Sequence, residues 1–300
     1  MAATPRRIAY DRPEFDESDS LEPDDFEDVT RETPTLPRPD ETRIIVVANQ
    51  KGGVGKTTTV VNLATALAKS GLRTVVIDLD PQGNASTALG VEHPEGSAGS
   101  YEVLNGELIA DLLQRSPEAP NLWVLPATID LAGAEISLVN TLARESQLLH
   151  ALRNFLPEAA ADYVLIDCPP SLGLLTVNAL VAAKEILIPI QCEYYALEGV
   201  TQLLRTIELI TKSMNAGLRL STVLLTMYDS RTKLSAEVAA EVRKYFPDQT
   251  LEATIPRSVR VAEAPSFGQS VINYQISSAG AQAYLAAAEE LALRGAGGQQ

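Results

Sequence analysis

The run Asn49-Gln50-Lys51-Gly52-Gly53-Val54-Gly55-Lys56-Thr57-Thr58 carries the densest chemistry of the chain. It follows a β-branched stretch, Ile44 to Ala48, and opens a helical pattern. Glycines at 52, 53 and 55 let the backbone turn tightly, so that successive amide N–H groups converge, and a helix N-terminus adds partial positive charge at the same place. That combination is an anion cradle whose natural guest is the phosphate chain of a nucleotide. Lys56 is placed to reach the β- and γ-phosphates, and the Thr57 hydroxyl to ligate Mg²⁺. The pattern G-x-x-x-x-G-K-[ST] is broken once: Gln50 stands at its first glycine, and a second lysine, Lys51, follows it.

Carboxylates end two further apolar runs. Asp78 and Asp80 close the run that starts at Thr74, and because strand side chains alternate, both point to one side. Asp167 closes the run from Tyr163 to Ile166, where an unpaired carboxylate is costly; a water-mediated contact to Mg²⁺ gives it a partner. The two cysteines, Cys168 and Cys192, lie in apolar stretches. They are too few for a disulfide framework or a four-ligand zinc site and read as small buried side chains. His93 and His150 have no acidic or thiol companions at ligand spacing and read as structural or surface residues.

The elements that must position these groups are legible as an alternation. Short Val- and Ile-rich runs at 44–48, 74–79, 122–125, 163–166, 186–190 and 220–225 read as strands covered on both faces. Helical patterns fall at about 57–70, 133–156, 172–183, 197–215, 235–246 and 279–293. Strand and helix in turn imply an α/β fold with a doubly wound, mostly parallel sheet, in one domain spanning 44–294, with a flexible C-terminus at 295–300. With 300 residues, 45% of them hydrophobic, the chain is large enough for a sizeable core. No apolar run approaches the roughly 20 residues of a membrane span, and no secretory leader is recognisable, so a cytoplasmic location is expected. Residues 1–43 are proline-rich and acidic, with 13 Asp+Glu against 6 Lys+Arg, and are expected to be a disordered tail. The net charge of −15 excludes a protein coated all over for nucleic acid. Residues 200–300, with 10 Lys+Arg against 9 Asp+Glu, form an electrostatically different surface.

The segment Lys51-Gly52-Gly53-Val54-Gly55-Lys56-Thr57-Thr58 resembles the deviant Walker A loop of the ParA/MinD superfamily of P-loop NTPases. Ile77-Asp78-Leu79-Asp80-Pro81-Gln82-Gly83-Asn84-Ala85-Ser86 looks like that family's switch I, and Leu165-Ile166-Asp167-Cys168-Pro169-Pro170-Ser171 like its Walker B and switch II. The segments 191–199 and 255–266 are similar to those of the chromosome-partitioning ParA/Soj branch. The resemblance covers about residues 44–292 and leaves the tail outside it. It implies an ATPase that forms an ATP-dependent homodimer around two Mg·ATP molecules, with Lys51 crossing to the partner's nucleotide. It assigns Asp80 to positioning the hydrolytic water, with Asp78 as a supporting carboxylate, and Met227, Pro256 and Ser258 to the adenine. It further implies sequence-independent binding of double-stranded DNA through Arg231 and Arg260, in segments that also hold Lys233 and Arg257. A centromere-binding ParB-type protein would stimulate hydrolysis, the protein would associate with the nucleoid, and the tail could meet a polar scaffold protein.

Two other readings use the same scaffold. A MinD-like regulator of cell division, recruited to membranes, needs a C-terminal amphipathic helix with basic and bulky apolar faces. Here the segment from Ala279 to Arg294 is dominated by alanine and contains Glu289 and Glu290, so no membrane partner is expected. An iron–sulfur carrier needs cysteine pairs to hold a cluster, and Cys168 and Cys192 offer no free pair.

Overall fold

A computed structural model of the chain describes residues 35–296 apart from Tyr195. Eight strands form one sheet: β1 (Arg43–Val47), β2 (Thr74–Asp78), β3 (Gln114–Arg115), β4 (Leu122–Leu125), β5 (Tyr163–Asp167), β6 (Glu185–Gln191), β7 (Arg219–Tyr228) and β8 (Thr250–Pro256). Their spatial order is β3-β4-β2-β5-β1-β6-β7-β8. Every pairing is parallel except β3 with β4 at one edge. Strands β1, β2 and β5 are buried at every residue, as continuous apolar runs in a doubly covered sheet require.

Alternation divides those strands between two cores. Ile44, Val46, Ile77 and Ile166 belong to one apolar cluster, and Ile45, Val47, Val76 and Leu165 to the other. The second is covered by α1 (Lys56–Lys69) and, at the end of the chain, by the long helix Ala279–Ala296. The first is covered by α2 (Gln147–Ala159), α3 (Leu174–Ala182), α4 (Glu198–Ser213) and α5 (Lys233–Tyr245). The helix Ala279–Ala296, here α6, buries Ala281, Tyr284, Ala287, Ala288, Leu291 and Ala292. Its small residues let it lie close to α1 and β8.

The expected helix at 133–156 is not one element. Short turns at Ile129–Gly133, Ala134–Ser137, Leu138–Asn140 and Arg144–Ser146 precede α2. Apolar residues there do not form one buried helix face: Leu131, Ala134 and Leu138 pack into the core, but Ile136 is 80% and Leu142 91% exposed. Ala143 takes a left-handed φ of 51°, which ends any helical path. The start of α2 is instead fixed from outside, since the buried Asn178 of α3 accepts from Leu148 N and donates to the Arg144 carbonyl. Strands β3 and β8 were not anticipated either; β3 has two residues, and β8 carries Glu252 and ends in Pro256.

The body also begins earlier than Ile44. Of the expected tail, residues 1–34 lie outside the described residues, but Leu36 is buried and its N–H donates to the Ser70 carbonyl at the end of α1. Arg43 is already part of β1. Its guanidinium pairs with Glu185 through two hydrogen bonds of 2.9 and 2.8 Å and donates to the Leu291 carbonyl of α6 at 2.6 Å. Gly295 makes room for it: a Cβ there would stand 2.4 Å from Arg43 Nη1. α6 reaches Ala296, two residues past the expected domain end, and residues 297–300 lie outside the described residues.

Removing Arg43 leaves the buried Glu185 with only the exposed Arg219, at 3.6 Å, as an ion-pair partner. Arg43→Ala is therefore expected to cost about 3–5 kcal/mol, read as a lower urea midpoint with an unchanged m value. Exchanging the exposed pair Lys212–Glu208 for alanines should cost less than about 1 kcal/mol.

Candidate nucleotide site

The C-terminal ends of the parallel strands gather the residues singled out above. Between β1 and α1 the chain turns through Gly53 at φ 75° and Gly55 at φ 91°, values that a residue with a Cβ adopts only under strain. Gly55 is the N-cap of α1, and no side chain caps the helix. The first amides of α1 are therefore open to an external acceptor. Two side chains hold the loop in shape: Thr226 Oγ1 donates to the Val54 carbonyl at 2.8 Å, and Asn49 bridges the Lys51 amide and the Pro189 carbonyl. Thr57 and Thr58 follow in the first turn, half-buried.

Lys56 is buried in this loop, with its ammonium 3.4 Å from the Lys51 carbonyl. Burial pulls its pKa below the usual lysine range, against the opposing pull of Asp167, Cys168 and Asp80. A desolvated ammonium with one long hydrogen bond is short of acceptors, and phosphate oxygens would supply them.

Opposite stand the carboxylates. Asp78 and Asp167 are register partners on adjacent strands β2 and β5, and both are fully buried. Asp78 is well satisfied, accepting from the amide and hydroxyl of Ser86 and from the Asp80 amide. Burial nevertheless pushes its pKa up to about 6. Neither oxygen of Asp167 has a hydrogen-bond partner, although the Thr57 hydroxyl stands close enough to ease its charge. Burial first, and the nearby Asp78 second, push the Asp167 carboxyl well above the usual carboxylate range. An orphaned carboxylate beside a hydroxyl is a pair of hard oxygen donors that fits Mg²⁺. Asp80, almost buried, accepts from the Gln82 amide at 3.0 Å at the start of the short helix Asn84–Ala88.

The expected adenine residues come together in part. Tyr228 of β7 pairs with Pro256 of β8, and the Arg257 amide donates to the Tyr228 carbonyl, which brings the Met227, Pro256 and Ser258 loops side by side. Met227 holds a left-handed φ of 51°, unusual for a long side chain. A cavity of about 420 Å³ opens beside Thr57 and Thr58, but Val61, Val261, Ala264 and Pro265 line it, and Met227, Pro256 and Ser258 do not.

Against known proteins, a family model described as an AAA domain matches residues 42–220. The chromosome partitioning protein ParA of Myxococcus xanthus is 51% identical over 84% of this chain and 88% of its own length. The chain belongs to the ParA/Soj family. The sporulation initiation inhibitor protein Soj of Bacillus subtilis is 50% identical over 84% of this chain and 99% of its own. Among solved structures, cobyrinic acid a,c-diamide synthase from Mycobacterium smegmatis, with a bound ATP analogue and magnesium, is 41% identical. It superposes with a TM-score of 0.72 over 84% of this chain and 95% of that one.

In this ParA/Soj chain the second lysine is not free. Lys51 Nζ forms an ion pair with Glu193, which follows β6, and Gln191 donates to the other oxygen of the same carboxylate at 2.9 Å. Glu193 had no role in the sequence reading; its signal is that an acid two residues past a central strand lands at the same sheet edge as the loop. Ser86, the last residue of the switch-like segment, likewise had no role there, and its amide and hydroxyl donate to Asp78.

The basic residues share this edge. Arg231 and Lys233 follow β7, and Arg257 and Arg260 follow β8, all exposed. Arg231 is held by Asp229 at 2.7 and 2.9 Å, and Arg260 by Glu263 at 2.9 Å. Among the described residues no group of three or more His, Cys, Asp or Glu is arranged to hold a metal ion, and both cysteines are buried and free.

The orphaned carboxylate gives an opposed pair of effects. Asp167→Asn removes a charge that destabilises the empty protein at neutral pH, so the melting temperature without ligand should rise by several degrees, and the gain should shrink as pH falls toward 5. The sign follows from a raised folded-state pKa: the native protein binds more protons than the unfolded chain, so stability grows on acidification. The same variant should lose the Mg²⁺-dependent part of its affinity for ATP in a titration with and without a chelator.

Proposed function

We propose that the chain is a Mg²⁺-dependent ATPase that works as a switch in DNA partitioning, dimeric and DNA-bound with ATP, released after hydrolysis. The observation that carries this is the uncapped start of α1, faced by Lys56 and by the orphaned Asp167. Open amides, a cation with one long hydrogen bond and a carboxylate without any are what a magnesium nucleotide would satisfy together.

On this reading the amides of Gly52 to Thr58 and the Lys56 ammonium bind the triphosphate. Thr57 and, through water, Asp167 hold Mg²⁺, which would supply charge neutralisation at the phosphate oxygens. Asp80 orients the water that attacks the γ-phosphorus, and ADP and phosphate leave. The Lys51 ammonium reaches the nucleotide of a second copy, so that two subunits close only around triphosphate. Met227, Pro256 and Ser258 flank the base.

Closure would set two basic edges, each with Arg231, Lys233, Arg257 and Arg260, onto one DNA duplex. Phosphate contacts then add across the dimer, and the affinity of the pair exceeds that of either copy. Stimulation of hydrolysis by a ParB-type protein would end the cycle and drive segregation of a chromosome or plasmid near the nucleoid. A role for the segment 1–34 at a polar scaffold belongs to the same proposal. The membrane-recruited alternative is disfavoured by α6, whose apolar face is already buried against the core. No helix among the described residues is long and apolar enough to cross a membrane.

Light scattering and DNA retention in the nucleotide-free, ADP and nonhydrolysable-ATP states test this together. Dimer and DNA binding should appear only with the ATP analogue. Lys51→Ala should abolish both, whereas Arg260→Glu should keep the dimer and weaken DNA binding by about tenfold or more at moderate salt, with a shallower salt dependence. Asp80→Ala should prolong the DNA-bound state in ATP; release at the unmodified rate would remove Asp80 from the hydrolytic step.

A further inference from the structure

The Lys51 ammonium, which the proposed function sends to the nucleotide of a second subunit, is engaged within its own chain by Glu193. The two side chains are 36% and 40% exposed, so the pair sits at the surface where a second copy would arrive. Glu193 is itself held. Gln191 donates to its second oxygen at 2.9 Å, and its amide donates to the Gln191 carbonyl at 2.8 Å. The loop that carries it is fastened at Cys192, whose amide donates to the Thr226 carbonyl and whose carbonyl accepts from Ser235 Oγ. The loop that carries Lys51 is fastened to the same residue, since Thr226 Oγ1 holds the Val54 carbonyl. Both partners of the ion pair are thus mounted on one anchor.

We infer that Glu193 is a positioning residue that parks Lys51 in cis and sets how much ATP is needed for two subunits to close. The reasoning is electrostatic. A carboxylate touching the ammonium neutralises the charge that the triphosphate requires, and brought up to the phosphates with the lysine it would repel them. Lys51 must therefore exchange Glu193 for phosphate oxygens during closure, once in each subunit. A half-exposed ion pair is weak enough to be exchanged and strong enough to bias the equilibrium: each is worth up to about fivefold, and two act per dimer. The inference rests on the reading that Lys51 acts in trans, and it adds the group that opposes that act.

Two measurements on the full chain test it. In nucleotide-free protein, labelling of Lys51 by an amine-reactive reagent, quantified by peptide mass spectrometry, should rise in Glu193→Gln. In light scattering titrated with a nonhydrolysable ATP analogue, the same variant should dimerise at a concentration about 3- to 20-fold lower, and Glu193→Asp, which keeps the charge, should return toward the wild-type midpoint. A midpoint that does not move, or one that rises because Glu193 supports the closed state, overturns the inference, as does Glu193→Asp behaving like Glu193→Gln. Failure of the underlying reading shows separately: Lys51→Ala would then dimerise with the analogue as the wild type does.

Discussion

Placing a carboxylate inside a parallel sheet costs several kcal/mol unless a positive group or a set of donors accompanies it. Asp78 meets that requirement with three donors from the segment that follows it. Asp167, its neighbour across β2 and β5, does not. The remaining charge in the vicinity is arranged around this unmet need. Lys56 is drawn into the interior with too few acceptors, and α1 starts without a cap after a loop that turns on two glycines of positive φ. Each is unfavourable alone, and a single ligand carrying both phosphate and a divalent cation relieves them together. The strain in this cluster is mainly one of charge, which is how a fold can be held ready for one chemical class of guest.

Much of this was legible because both faces of the central strands are covered. Runs such as Ile44 to Val47 and Tyr163 to Ile166 leave no freedom in their reading, and the glycine-lysine pattern between a strand and a helix leaves little more. What failed did so where long-range contacts override local pattern. The apolar residues from Ile129 to Leu142 are divided between core (Leu131, Ala134, Leu138) and surface (Ile136, Val139, Leu142) by short separate turns, and the true helix begins where Asn178, from another element, supplies its cap. β8 is short of strand-like residues at Glu252 and Pro256 and exists through pairing with β7. Glu193 is invisible to any local rule, since its importance comes from a lysine 142 positions earlier.

The site is also less divided than its separate motifs suggest. Thr226 serves the phosphate loop through its hydroxyl and the loop after β6 through its carbonyl, and the next residue, Met227, takes the strained turn toward the expected base site. The loops proposed to hold phosphate and base and the loop that pairs with Lys51 therefore meet at the end of β7. A shift of that strand end displaces all of them together, whereas a change in any one loop leaves the anchor in place.

The contact between Gly295 and Arg43 has a practical meaning as well. α1 runs from the phosphate loop down to Ser70, where Leu36 docks, and α6 finishes beside the first residue of β1. Both ends of the described chain thus leave the body at the floor of the sheet, with the whole thickness of the strands between them and the nucleotide. A fluorophore attached at Thr35 or Ala296, both exposed, would therefore stand at the end of the strands opposite the candidate nucleotide site.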